Sequence, residues 1–163
     1  MAPAGSATRP TSDRVRESIF SSLGSLGAIE GSVVLDLFAG SGAMGIEALS
    51  RGAEHATFVD SDRAARAAVD ANLEVCGFAG ASRVVASPAD RFLADRVRAG
   101  DRFDLAFLDP PYGFDGWDGL LAGLPADLVV VESGAELTAV GGWDVLRAKR
   151  YGRTHVTILE AGP

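Results

Sequence analysis

Val33-Val34-Leu35-Asp36-Leu37-Phe38-Ala39-Gly40-Ser41-Gly42 is the stretch that decides the fold. An apolar run broken only by Asp36 enters a glycine-rich turn, and Met44 to Leu49 then read as a helix. Continuous apolarity, as opposed to alternation, marks a strand covered on both faces of a parallel sheet. Glycines let the backbone turn tightly and approach a ligand closely. The helix that follows points its free N–H groups into that turn. In doubly wound sheets ligands bind at the carboxyl ends of the strands, near the switch in strand order. Asp36, Phe38, Gly40 and Gly42 are therefore candidate cofactor residues.

The same alternation extends outward. Upstream, Ser12 or Asp13 can cap a helix with Val15, Ile19, Phe20 and Leu23 on one face, ended by Gly24 and Gly27. Downstream, strands are expected at 56–59, 83–86, 103–108 and 128–131, separated by helices at 62–76, 89–97 and 117–121. The 62–76 helix is expected to bury Ala65, Val69, Leu73 and Cys76. Residues 143–150 and 154–159, joined at Gly152, read as an antiparallel finish. The expectation is one α/β domain over residues 12–163, a doubly wound, mostly parallel seven-stranded sheet with an antiparallel C-terminal hairpin. Residues 1–11, small, polar and proline-bearing, read as a flexible lead-in.

Composition narrows the function classes. An apolar share of 47% in 163 residues supports a folded core. No apolar run approaches the roughly 18 residues that span a bilayer, and Met1 to Ser6 lack a signal-peptide pattern, so a cytoplasmic protein is expected. One cysteine excludes an internal disulfide and a cysteine-based metal site, and no metal is expected. The net charge of −7 is not that of a nucleic-acid binder, but positive charge gathers at the two ends. Arg9, Arg14 and Arg16 lie in one segment, and Arg147, Lys149, Arg150 and Arg153 in the other. Location matters more than the sum.

Gly40-Ser41-Gly42-Ala43-Met44-Gly45 satisfies the G-x-G-x-x-G dinucleotide pattern, and Asp60 follows at the distance of a ribose-binding acid. Asp36 tells against a dinucleotide. A carboxylate at the strand end repels a pyrophosphate, whereas adenosylmethionine has no phosphate and carries an ammonium and a sulfonium. At the third strand end, Ser87-Pro88-Ala89-Asp90 is the expected adenine position; Asp90 either accepts from the adenine amine or caps the next helix.

The fourth strand, Leu105 to Leu108, runs into Asp109-Pro110-Pro111-Tyr112. Two prolines stiffen the backbone and offer no N–H. The Asp109 carboxylate and the Pro110 carbonyl can each accept one hydrogen of an exocyclic base amine, freeing a lone pair otherwise delocalised into the ring. Tyr112 offers a stacking face, typically contributing ~1–3 kcal/mol per base. No His, Lys or Tyr-x-x-x-Lys arrangement supports hydride chemistry, since His55 and His155 stand isolated. The loop equally suits a DNA adenine amine, although no segment resembles a target-recognition domain.

Arg9-Pro10-Thr11-Ser12-Asp13-Arg14-Val15-Arg16-Glu17-Ser18, Asp36 to Gly42, Glu47-Ala48-Leu49-Ser50-Arg51-Gly52 and Asp109 to Tyr112 together resemble the RsmD family. Its members are guanine-N2 methyltransferases of small-subunit (16S) ribosomal RNA with the Rossmann-like class I adenosylmethionine-dependent fold. The resemblance runs from about Arg9 to Leu159. It implies that Asp36, Gly40 and Gly42 line adenosylmethionine, that Asp60 binds ribose, and that Asp109 to Tyr112 hold the guanine amine. It places Thr11, Arg14 and Arg16 over the site, toward the methionine carboxylate or RNA phosphate, with Arg9, Arg150 and Arg153 as further RNA contacts. It also implies a monomer acting on a 30S particle or assembly intermediate. Family members carry a glycine- and arginine-rich hairpin ahead of the block that starts at Arg9, where this sequence has eight residues.

Overall fold

The computed structural model describes residues 10–138 and 140–163. In chain order the elements are α1 (Pro10–Ser25), β1 (Val33–Leu37), α2 (Ala43–Ser50), β2 (His55–Val59), α3 (Arg63–Cys76) and β3 (Ser82–Val85). There follow α4 (Ala89–Ala99), β4 (Phe103–Leu108), α5 (Trp117–Ala122), β5 (Ala126–Ser133), β6 (Trp143–Tyr151) and β7 (Thr154–Ala161). One sheet holds the strands in the order β3-β2-β1-β4-β5-β7-β6. β1 to β5 are parallel, while β7 runs antiparallel to β5 and to β6. The chain works outward from β1 to β3 and then returns to the other side of β1 as β4. That reversal leaves a crevice past the ends of β1 and β4, where such sheets bind ligands.

The central strands bury both faces. One face carries Val34, Phe58, Leu105, Phe107, Val130 and Ile158 and packs against Val15, Ile19, Phe20 and Leu23 of α1 with Leu49 and Val69. The other carries Leu35, Leu37, Ala106, Leu108, Val129 and Val131 and packs against Phe92, Leu93, Leu120 and Leu121. Alternation sends odd and even residues to opposite sides. This double coverage explains the continuous apolar strands of the sequence. Among the described residues, no helix is long and apolar enough to cross a membrane.

Three expectations need correction. α1 starts at Pro10, so Pro10 and Thr11 belong to the helix; proline's fixed φ suits a first helical turn. Asp13 thus sits in the first turn, not at the cap, and pairs with Arg16 at 3.2 Å. Gly24 lies within α1, and the chain reverses at Gly27, whose φ is +64°. Cys76 is exposed: Leu73 is the last α3 residue packed on the core, and Glu74, Val75 and Cys76 all face solvent. Arg9 and most of the expected lead-in lie outside the described residues.

Candidate active site

The turn after β1 is held from below. Asp36 is only 4% exposed, and its Oδ2 accepts the Gly45 N–H of α2 at 2.9 Å. Asp60, just past β2, accepts the Gly40 N–H through Oδ2 and the Asp62 N–H through Oδ1, both at 2.9 Å. Each oxygen keeps a second lone pair, so Asp60 can still accept from a ligand hydroxyl. Gly40 and Gly42 have φ of +58° and +81°, the left-handed region that favours glycine. Phe38 has φ +63°, a conformation of order 1–3 kcal/mol above its ordinary range, and its ring packs on Phe114 at 6.1 Å. Phe114 in turn meets Trp117 edge-on at 5.0 Å.

Gly45 is fixed by space. A Cβ there would stand 2.4 Å from the Phe58 ring, which is itself fully buried. Gly45→Ala is expected to cost about 1–3 kcal/mol through overpacking, read as a lower urea midpoint at unchanged slope.

A cavity of about 1080 Å³ opens at the carboxyl ends of β2, β3 and β4. Phe38, Asp60, Ala89, Asp90, Asp109 and Pro111 border it, so the structure gathers these predicted residues into one site. Asp36, Gly40 and Gly42 are not on its wall; they shape the turn beside it. Pro110 is buried beneath the loop, and Tyr112 stands 96% exposed beyond the rim, leaving its ring free to stack. Asp90 does not cap α4, where Pro88 is the N-cap; its Oδ1 accepts its neighbour Arg91's N–H. Of the predicted arginines, Arg16 is held by Asp13 and by Glu47 at 3.5 Å, and Arg14 is exposed. The side chain of Thr11 lies outside the described residues. Arg150 and Arg153 are exposed on the terminal hairpin, and Arg150 Nε donates to the Gly152 carbonyl at 2.7 Å.

Sequence reading missed Glu132 at the end of β5. In the continued β4–β5 register it falls beside Asp109, and its alternation follows Leu128 and Val130. Asp36, Asp109 and Glu132 thus point to one sheet face and extend its apolar stripe with acids. Burial raises Asp36 from 3.8 to about 8 against the Gly45 hydrogen bond, and the charges of Asp109 and Asp60 add to the rise. Burial, then Asp109 and Asp36, lift Glu132 from 4.5 to about 8. Asp109 is exposed at the end of β4, but the protein packed around its carboxylate desolvates it enough to lift it to about 6.

These residues fit adenosylmethionine. Phe38, Pro88, Ala89 and Leu93 give the cavity an apolar wall wide enough for a purine ring, and Asp60 brings a carboxylate acceptor to it. Asp60, Asp90 and Asp109 face Arg98 as the one cation on the cavity wall among the described residues. Such a wall suits a cationic, phosphate-free ligand and opposes a pyrophosphate.

The family described as Conserved hypothetical protein 95 matches residues 1–160. YlbH of Bacillus subtilis (strain 168) is 40% identical over 169 residues, covering 98% of this chain and 91% of its own length. Ribosomal RNA small subunit methyltransferase D of Escherichia coli (strain K12) is 46% identical over 104 residues, 64% of this chain and 50% of that protein. The solved structure of yhhF from Escherichia coli superposes with a TM-score of 0.83 at 37% identity, covering 96% of this chain and 89% of that one. The chain therefore belongs to the RsmD family of methyltransferases, and its seven-stranded sheet is the adenosylmethionine-dependent Rossmann-like fold expected of it.

Proposed function

We propose that this chain methylates the N2 amine of a guanine in small-subunit ribosomal RNA, using adenosylmethionine, as a cytoplasmic monomer acting on a 30S particle or its assembly intermediate. The observation that carries the reading is that Asp109 borders the same cavity as Phe38 and Asp60. This shared cavity supports a reading in which the amine acceptor stands beside the cofactor slot. The family relative named for small-subunit ribosomal RNA supports the substrate class.

Adenosylmethionine, when bound, supplies an electrophilic methyl group. Asp60 would hold its ribose, while Phe38, Pro88, Ala89 and Leu93 would hold its adenine. Asp109 and the Pro110 carbonyl accept the two amino hydrogens of guanine and release the nitrogen lone pair for in-line attack. Positive charge develops on that nitrogen, so a preorganised carboxylate stabilises the transition state more than the ground state. Tyr112 stacks on the extruded base, and holding the reactants in a near-attack pose removes up to roughly 7–11 kcal/mol of barrier. The product ammonium is acidic enough to lose its proton to water, so Asp109 acts first as an acceptor. A small domain of this kind reads a shaped RNA with an exposed or flippable base.

The test is incubation with labelled adenosylmethionine and 30S particles, followed by nucleoside analysis. N2-methylguanosine must form with the wild-type chain and vanish with Asp109→Ala. Methyladenine in treated duplex DNA, with no methylguanosine in the particles, would overturn the substrate assignment.

A further inference from the structure

The sheet register carries the site's geometry outward to the terminal hairpin. Leu108 pairs with Val131, so Asp109, the next residue, is level with Glu132. Glu132 pairs with Val156, and Val156 with Lys149. Asp109, Glu132, Val156 and Lys149 thus form one row across four strands. With strands spaced about 4.8 Å apart, Lys149 stands roughly 14–15 Å from Asp109. Arg147, opposite Ile158, faces the same side as Lys149, because Val156 and Ile158 both belong to the core beneath α1.

Between α1 and this strand runs a groove of about 390 Å³. Ser18 and Ser22 form one wall, Arg147, Lys149 and Tyr151 the other. Ser18 and Tyr151 share a hydrogen bond that ties the walls together. The Lys149 ammonium lies 5.0 Å from the Tyr151 ring centre, which holds the cation without neutralising it. Among the described residues no carboxylate lines the groove, and no ion pair includes Arg147 or Lys149. In a chain of net charge −7, this is a local concentration of uncompensated positive charge with hydroxyl donors beside it. The second basic cavity, around Arg83, Arg91 and Arg96 at the other end of the sheet, contains Asp95, and its Arg96 is already bound to Asp101 at 2.9 Å.

We infer that the α1–β6 groove takes the phosphate backbone of the substrate RNA, with Arg147 and Lys149 as the phosphate contacts, while the target base reaches Asp109 at the same level of the sheet. The inference rests on the proposed RNA substrate, and it separates the basic residues of the hairpin by face. Arg150 pairs with His155 in the alternate phase, points to the opposite face and gives its Nε–H to the Gly152 carbonyl. Phosphate contacts of this kind fix position and register rather than read sequence.

The experiment compares the wild-type chain with Arg147→Ala/Lys149→Ala by fluorescence anisotropy on a short labelled single-stranded RNA across a salt series. Each phosphate contact contributes about 0.7 to the slope of log affinity against log salt. The double variant should bind at least ten-fold more weakly, with a slope shallower by about 1.4. The charge-matched Arg83→Ala/Arg102→Ala, on surfaces distant from the groove, should keep the wild-type slope. Adenosylhomocysteine affinity, read by calorimetry, should be unchanged in all of them, which shows the fold intact. Wild-type affinity and slope in the double variant would overturn the groove, as would an equal loss in Arg83→Ala/Arg102→Ala. Retained RNA affinity with lost binding to 30S particles would place a protein partner there and overturn it too. Absence of N2-methylguanosine with the wild type sinks the reaction alone, because the anisotropy comparison is decided without turnover.

Discussion

Asp109→Asn is expected to lower kcat/KM for methyl transfer by roughly 10²–10³-fold while adenosylhomocysteine affinity stays within a few-fold. The amide keeps one acceptor of nearly the same shape, so guanine can still dock. It lacks the charge that would meet the positive nitrogen as it forms, and the loss therefore falls on the transition state. Asp109→Ala removes the acceptor as well and should fall further. The pH dependence gives an independent reading. Asp109 must be ionised to act, and its pKa is raised to about 6 in the ligand-free protein, so kcat/KM should climb through the region of pH 6 and level above it. A bound sulfonium favours the carboxylate, so the corresponding limb in kcat should lie at lower pH. Both limbs should be missing in Asp109→Asn. A variant that keeps a tenth or more of wild-type kcat/KM, with its acidic limb intact, would remove Asp109 from the chemistry.

The sheet was legible because its strands carry a signal that survives reading one residue at a time. Leu105 to Leu108, and Val33 to Leu37 apart from Asp36, are apolar on both faces, and glycines or acids end them where the turns begin. The edges of elements were less legible. Nothing in Pro10-Thr11-Ser12-Asp13 states that the helix begins at the proline, since Asp13 is an equally good cap. Cys76 holds a helical phase that fits the buried stripe, but burial needs a partner beneath it, and α3 packs on the core only as far as Leu73.

Glu132 shows what a motif search leaves out. Asp36 and Asp109 stood out by their neighbours, a glycine turn and a proline pair. Glu132 has no such neighbours, and only its parity with Leu128 and Val130 places it on the face of the other two acids. That parity was present in the sequence; the pairing of β5 beside β4 that gives it meaning was not. The same holds for Arg147 and Lys149. Their charge was visible, but the face they share with Asp109 depends on the β6–β7 register, which shifts between Val145 and Arg147. By the same register Arg150 lies on the other face, so adjacency in the chain to Lys149 says nothing about a shared ligand.

The acids beneath the site should also govern stability, and Asp36→Asn should stabilise the ligand-free protein at pH 8.5 by about 2–4 kcal/mol while changing little at pH 4. Folding raises Asp36 from 3.8 to about 8 and Glu132 from 4.5 to about 8, chiefly by burial. Between those limits the native chain holds protons that the unfolded chain has released. Stability therefore falls as pH rises from about 4 to about 8, and below pH 4 the contribution is fully present. Asparagine cannot ionise, and its side-chain oxygen can still accept the Gly45 N–H that Asp36 accepts at 2.9 Å. The variant should lose most of the downward slope, less the part that belongs to Glu132. A cationic ligand reverses the balance, because it favours the ionised acids. Wild type should thus release protons on binding adenosylmethionine, and more of them than on binding adenosylhomocysteine, which lacks the sulfonium charge. Urea unfolding at several pH values, with calorimetry of both ligands in two buffers of different ionisation enthalpy, reads both effects. Should Asp36→Asn prove less stable than wild type at pH 8.5 by more than at pH 4, Asp36 is a charged structural anchor, and the picture of a protonated acid waiting beneath the cofactor turn is wrong.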